Sequence, residues 1–531
     1  MKIRYVFILF IIIIMIYAFY KVKIQKKETD NKNNSIIQAE DKDVKKSKEI
    51  TLAIPEFDTI NPIITTNKKV QDIDRLIFDP LISITEDYKI EYCLAKECAK
   101  ISNNTYIIKL REAIKWSDGS KFTSNDVKFT IDRLKENDNS VYSSNVSNIK
   151  EVDIIDNYTI KIILEKEVKF FEYYLNFPIL SSSYYENDDF WNTEKNKMPI
   201  SIGKYKISEV TNNTLILEKN KNIWNEKTNN TIDKININLY SSVAEMYNAF
   251  KMGRVDFIST QNESYESYVG TIGYDISEIN GRNFVFLALN TNSNFLTDVN
   301  VRKAIRAAID KNRMISNSYG NMYKEANYIL NTNSYFVDSN NENFYSLDEK
   351  NNLLQSAGWE FKNGTWQKMI NNKSINLELN LVVRAEDITR CKAAEDIKKQ
   401  LQEQGIIVNI IYADDNSYNT YLNNINYDMM LCSIEQPIAP DLTTYFGYNN
   451  LANFNNQEVK EILNYSTNIS NENDLKEKYQ RLYEIYNEEV PYIGLARNKI
   501  LTLKNADLVG EIKANWYSMF YNIDEWYKID S

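Results

Sequence analysis

The chain has 531 residues, 63 Lys and Arg against 73 Asp and Glu for a formal charge of −10, 43% hydrophobic residues and no histidine. That apolar content excludes global disorder, and the length corresponds to two to four domain-sized units at roughly 100–200 residues each. The missing imidazole excludes Ser-His-Asp and Cys-His nucleophile systems, His-ligated metal and imidazole proton relays, while the acidic balance argues against nucleic-acid binding, which needs a basic face.

Charge is unevenly spread: residues 1–50 carry a net +5, which leaves −15 for the remainder. Lys2 and Arg4 precede the uncharged run 5–20, YVFILFIIIIMIYAFY. As a helix rising about 1.5 Å per residue this run spans roughly 24 Å, somewhat short of the ~30 Å hydrocarbon core of a bilayer. It ends in Ala18-Phe19-Tyr20, which is no small-residue cleavage site, and the first cysteine is Cys93, so cleavage before an acylated Cys is closed. We read residues 1–20 as an uncleaved membrane anchor in preference to a cleaved signal. Lys21, Lys23, Lys26 and Lys27 outnumber Lys2 and Arg4, and that count alone places the bulk of the chain in the cytoplasm. Residues 21–48 are polar, charged and nearly free of aromatics, a flexible tether.

From Glu49 onward the pattern is mixed α and β. Short apolar or alternating runs predict strands at 50–54, 106–110, 159–164, 214–218, 235–240 and 284–289. Helices alternate with them: 124–137, opened by Ser124-Asn125-Asp126 with Val127, Ile131 and Leu134 on one stripe, and 299–315, with Val301, Ile305, Ala308, Ile309 and Ile315 on another. Later helices are predicted at 393–404, 457–465 and 474–488. The stretch 110–134, LREAIKWSDGSKFTSNDVKFTIDRL, reads as a strand end, a turn at Ser117-Asp118-Gly119-Ser120 and a capped amphipathic helix.

As a string, 110–134 resembles the signature of the family 5 solute-binding proteins, the extracytoplasmic receptors of peptide-type ABC importers. Further segments are similar to that family in the same order. They are Asp58-Thr59-Ile60-Asn61-Pro62, Phe78-Asp79-Pro80-Leu81, Ile202-Gly203-Lys204-Tyr205, Leu289-Asn290-Thr291 with Val301-Arg302-Lys303-Ala304-Ile305, Leu353 to Trp359, and Glu489-Val490-Pro491-Tyr492-Ile493. The resemblance covers roughly 49–531. It implies a two-lobed periplasmic-binding-protein-like α/β fold with an extra α/β domain inserted in the first lobe: lobe I at 49–78, 200–285 and 505–531, the extra domain at 79–199, and lobe II at 286–504. It implies capture of a short peptide or peptide-like solute by closure of the lobes and delivery to ABC permease subunits, with the body outside the cytoplasm, against the lysine count. A monomer without catalytic residues, cofactor, metal or nucleic-acid partner is expected. The alternative on the same scaffold is a membrane-tethered sensor that binds a signal peptide without feeding transport.

The ligand residues are likewise implied by resemblance. Peptide-binding members have a Gly-Trp-x-x-Asp-like segment after a strand, whose carboxylate pairs with the peptide amine. Here the strand 427–432 is followed by Ser433, Ile434, Glu435, Gln436 and Pro437, so Ser433 stands for Gly, Ile434 for Trp and Pro437 for Asp. Glu435 or Asp441 is expected to replace the missing carboxylate, because an ammonium buried without a counter-charge is costly. Thr65, Thr66 and Asn67 after the first strand, and Tyr142, complete the expected ligand set. Cys93 and Cys98 are close enough for a local bridge in an oxidising exterior and Cys391 with Cys432 could bridge within the second lobe; three complete pairings are open to four cysteines, and free buried thiols are the other reading.

Overall fold

The structure, a computed structural model, describes residues 46–529 except 56, 58, 86, 225–231, 262–263, 270–272, 332–333, 337–346 and 466–471. The expected anchor, most of the tether and Asp58 of the early loop lie outside the described residues. The end of the tether does not: Lys46–Ser47 form a short strand antiparallel to Tyr527–Ile529.

Period-two burial of apolar residues builds the first sheet. Ile50, Leu52 and Ile54 of Glu49–Pro55 point into the core. This strand pairs in parallel with Lys234–Tyr240, Ile50 opposite Ile235 and Leu52 opposite Ile237. Thr214–Lys219 and Tyr205–Val210 complete four strands. Between the first of these strands and the other three, the chain builds a separate antiparallel sheet, in spatial order Ala95–Ser102, Thr105–Leu110, Thr159–Leu164 and Ile149–Asp156. The first lobe is therefore discontinuous, with an α/β domain inserted in it.

The signature stretch is the junction of that domain. Gly119 takes φ +92°, a left-handed value that glycine adopts without steric cost. Helix Ser124–Lys135 begins with a capping box between Thr123 and Asp126. Asp126 accepts from the Thr123 N–H at 2.8 Å, from the Ser182 N–H and hydroxyl at 2.8 Å each, and from Trp116 Nε1 at 3.4 Å.

A third sheet joins the lobes. Its order is Phe257–Thr260, Tyr492–Asn505, Tyr274–Leu289, Met429–Glu435, Glu378–Arg384 and Ile407–Ala413. Residues 284–289 are apolar without interruption because both faces are covered. Phe284, Phe286 and Ala288 join a core shared with the first lobe and inserted domain, whereas Val285, Leu287 and Leu289 join a second core with helix Ile388–Glu403.

Two elements depart from the sequence reading. The single helix expected at 299–315 is two, Val299–Ala308 and Lys311–Ser318. Ile309 between them is extended, and Asp310 caps the second helix by accepting from the Arg313 N–H at 3.0 Å. The strand expected at 284–289 begins ten residues earlier, at Tyr274. All four cysteines are free, so neither expected bridge forms.

Candidate functional site

Helix Lys68–Ile77 carries expected ligand residues at one end and an unexpected cluster at the other. Asn67 caps its N-terminus by accepting from the Lys69 N–H at 3.0 Å. Thr65, buried, accepts from the Asn67 N–H at 3.2 Å, while Thr66 is exposed. These three hold the helix start. At its other end Arg75 donates through Nη1 to the Asn176 carbonyl at 2.8 Å and through Nη2 to the Tyr142 hydroxyl at 3.1 Å. The guanidinium lies 4.0 Å from the Tyr517 ring centroid and 5.6 Å from that of Tyr142, which suits cation–π attraction. Tyr517 in turn donates to the Asn176 carbonyl. Beside Arg75, the Asp74 carboxylate is fully buried with no hydrogen-bond partner on either oxygen among the described residues, and burial holds its pKa well above the usual carboxylate range.

A second cluster forms where Met429–Glu435 leaves the sheet. Ser433 donates to Asn283 Oδ1 at 2.8 Å, and Ile434 stands opposite Phe284 in the ladder. Glu435, exposed, pairs with Arg282 at 3.0 Å. Gln436 is buried: its N–H donates to the Arg282 carbonyl at 2.9 Å, its own carbonyl accepts from Arg282 Nε at 2.6 Å, and its Oε1 accepts from Arg497 Nη1 at 2.6 Å. Arg497 also donates to the Ile329 carbonyl at 2.7 Å, and burial lowers its pKa to about 10.

The two clusters meet across adjacent aromatics. Trp516 lies 4.2 Å from the Arg282 guanidinium and Tyr517 lies 4.0 Å from that of Arg75. Asn515 fixes this segment by accepting from the Tyr517 and Ser518 N–H groups at 2.9 and 2.8 Å and donating to the Ile84 and Thr85 carbonyls at 3.1 Å each. The inserted domain touches the second lobe nearby: the Tyr335 N–H donates to the Asp87 carbonyl at 3.0 Å, and Asn331 Nδ2 donates to the Tyr88 hydroxyl at 2.9 Å.

Tyr142 through Arg75, and Glu435 and Gln436 through Arg282, are thus linked to one bridging segment, while Ser433 and Ile434 stay within the sheet. Thr65, Thr66 and Asn67 are displaced by the length of the helix, about 15 Å for ten residues. Asp441 is also apart. It accepts from the Thr443 N–H at 2.9 Å, and Lys169 of the inserted domain donates to Thr443 Oγ1 at 3.1 Å, so its place is a contact between the inserted domain and the second lobe. Arg75, Arg282, Arg497, Trp516 and Tyr517 are absent from the sequence-based set. Arg497 carried a signal, a lone guanidinium within the otherwise apolar run 492–497. Among the described residues no group of three or more Cys, Asp or Glu is placed to hold a metal.

Two α/β lobes joined by long crossover strands, with an inserted domain and charged and aromatic groups where the parts meet, define a solute-binding protein. The sequence profile of the bacterial extracellular solute-binding proteins, family 5, matches residues 89–468, and the chain belongs to this family. It is a non-enzymatic, extracytoplasmic substrate-binding protein of an ABC importer. Among its relatives, the oligopeptide-binding protein AppA of Bacillus subtilis is 21% identical over 496 residues, 90% of each chain. The nickel-binding periplasmic protein of Escherichia coli is 22% identical over 383 residues, 70% of this chain and 72% of that one. The unliganded open form of MppA, a periplasmic murein tripeptide-binding protein, superposes with a TM-score of 0.78 at 19% identity, over 92% of this chain and 98% of that one.

Proposed function

We propose that this protein captures short peptides or peptide-like solutes between its lobes and passes them to its permease, held at the outer face of the membrane by residues 5–20. The observation that carries this reading is the pair of exposed Glu435 with half-buried Arg282 beside Trp516. A peptide brings an ammonium and a carboxylate, and its two ends replace the internal ion pair charge for charge, so neither is desolvated without a partner. Trp516, half-buried, supplies an apolar face for the chain between those ends, with Tyr517 buried beside it. The Bacillus relative bears an oligopeptide-binding name and MppA a tripeptide-binding one, which supports the class. The nickel-binding relative supplies the competing one. A chain without histidine has no imidazole with which to ligate nickel itself.

A thermal-shift screen with a random peptide pool, against sugars and nickel chelates, tests this directly, since a ligand that binds only the folded state raises its melting temperature. Peptides are expected to stabilise the protein, and Glu435→Gln to weaken their binding about tenfold, the loss of one charge-assisted contact. A shift from nickel chelates with none from peptides would sink the assignment. Among the described residues no helix is long and apolar enough to cross a membrane. Anchoring is therefore tested by deleting residues 5–20, which is expected to move the protein from the membrane fraction to the soluble one.

A further inference from the structure

A recess of about 1250 Å³ opens between the inserted domain and the first lobe, and its lining residues all fall within 75–114, 204–224 and 517–525. It is thus separate from the Glu435–Arg282 pair, and the two share only the wall made by Arg75 and Tyr517. Three of the charged groups around it are ion-paired, and Glu91 has a neutral partner. Lys204 pairs with Asp524 at 2.5 Å, Glu525 with Lys513 at 3.2 Å, and Glu91 accepts from the Tyr521 hydroxyl at 3.3 Å.

Two groups differ. Arg111 donates through Nε to the Cys93 carbonyl at 2.6 Å and through Nη2 to the Tyr92 carbonyl at 3.1 Å, and no carboxylate among the described residues forms an ion pair with it. Asp79 accepts from Trp224 Nε1 at 2.6 Å and likewise has no cation within ion-pairing distance among the described residues. Both flank the same indole, because the Arg111 guanidinium lies 5.1 Å from the Trp224 ring centroid. An unmatched guanidinium and an unmatched carboxylate are therefore no farther apart than one indole and its two contacts, at the wall of a recess roomy enough for a ligand. Burial pushes the Asp79 carboxyl up to about 6, the response of an acid lacking a counter-charge.

We propose that this recess is a second binding site, for a single amino-acid zwitterion whose carboxylate docks on Arg111 and whose ammonium docks on Asp79, with the Trp224 ring as the wall between them. Bidentate guanidinium–carboxylate geometry suits one end, and a charge-assisted hydrogen bond the other. The size of the recess admits any side chain, so selection falls on the two charged ends. The protein then senses or carries a free amino acid independently of the solute held between its lobes.

Calorimetric titration of the full-length chain with L-alanine and L-glutamine tests the proposal, with acetate and ethylamine presenting each charge alone. One amino acid per chain is expected to bind, and each single-charge probe far more weakly. Arg111→Gln and Asp79→Asn are each expected to weaken the amino acid about tenfold or more and to leave peptide affinity unchanged. Because the Asp79 change touches a buried group, Trp224→Phe, which keeps an aromatic wall but removes the Nε1 bond to Asp79 and part of the ring area facing Arg111, serves as the second variant and is expected to weaken the amino acid as well, and melting without ligand establishes that each variant is folded. Absence of amino-acid binding, acetate binding as strong as L-alanine, or binding abolished by Glu435→Gln and untouched by Arg111→Gln overturns the proposal. The last result places the amino acid between the lobes and leaves the peptide reading standing.

Discussion

Asp126 shows how one side chain can make a sequence motif recognisable without binding anything. Its two oxygens take four hydrogen bonds, from Thr123, from the backbone and hydroxyl of Ser182, and from Trp116, and it is buried. The Trp-Ser-Asp-Gly turn and the Thr-Ser-Asn-Asp helix start are therefore halves of one joint, which is why they travel together in the string 116–126. Asp126→Ala strands those donors in a dry environment and removes a helix cap, and is expected to destabilise the protein by about 2–4 kcal/mol. Urea unfolding checks this, with peptide affinity of the folded fraction unchanged; lost affinity at unchanged stability would make the motif a ligand site. Local signals of this kind were legible because the partners lie close in sequence. The pairing of Arg75 with Tyr517 and of Arg282 with Trp516 was not, since each joins residues more than two hundred positions apart with no periodicity to mark them.

Strands and helices with strong apolar periodicity match the sequence reading closely: 159–164 and 457–465 coincide with Thr159–Leu164 and Gln457–Tyr465. The misses have physical causes. An Asp able to cap a helix splits 299–315, and the mostly polar stretch 274–283, with only Ile276 and Ile279 strongly apolar, is strand because a long partner, Tyr492–Asn505, pairs with it. That long pair passes between the lobes, and its register slips between Asn280 and Phe284. At the slip the Asn283 N–H donates to Asn498 Oδ1 at 2.8 Å, and a Cβ added to Gly281 would meet that same amide at 2.2 Å. Gly281 and Asn498 act as a unit: the missing side chain of one makes room for the cross-strand bond of the other. Gly281→Ala is expected to displace the amide and cost about 1–2 kcal/mol, and Asn498→Ala about the same, by loss of the bond. The double variant is expected to cost clearly less than the two together, because either change already breaks the contact. Additive losses in denaturant unfolding would show the two positions to be independent.

Over the whole molecule, the absence of histidine makes the pH response readable. No ordinary side chain of this protein titrates between about pH 5 and 8, so stability changes in that window report displaced groups. Burial raises the carboxyls of Asp74, Asp79, Asp126, Glu172 and Asp256, Asp79 to about 6 and Asp74 well above its usual value. A carboxyl raised on folding contributes stability that is whole below its unfolded value, near 4, and is lost as pH climbs through the folded value. Exposed carboxylates behave oppositely: hydrogen bonds from Lys161, Arg313 and Arg481 hold Asp153, Glu403 and Glu458 low, so their contribution disappears only as pH falls below the ordinary carboxylate range. The two sets place maximal stability at about pH 4–5, and the melting temperature at about pH 5.5 is expected to exceed that at about pH 7.5, because the loss continues as pH climbs towards the raised value of Asp74. Protonation also reduces the net charge of −10, which acts in the same direction. Asp74→Asn separates these causes. It changes the charge by one in ten but removes an unpartnered buried acid, so it is expected to raise the melting temperature at pH 7.5 and to flatten the decline above pH 5.5. A surface change of equal charge, Glu218→Gln at an exposed position, is expected to leave that decline in place, and an identical slope in both variants would trace the pH response to net charge and not to the buried carboxyl.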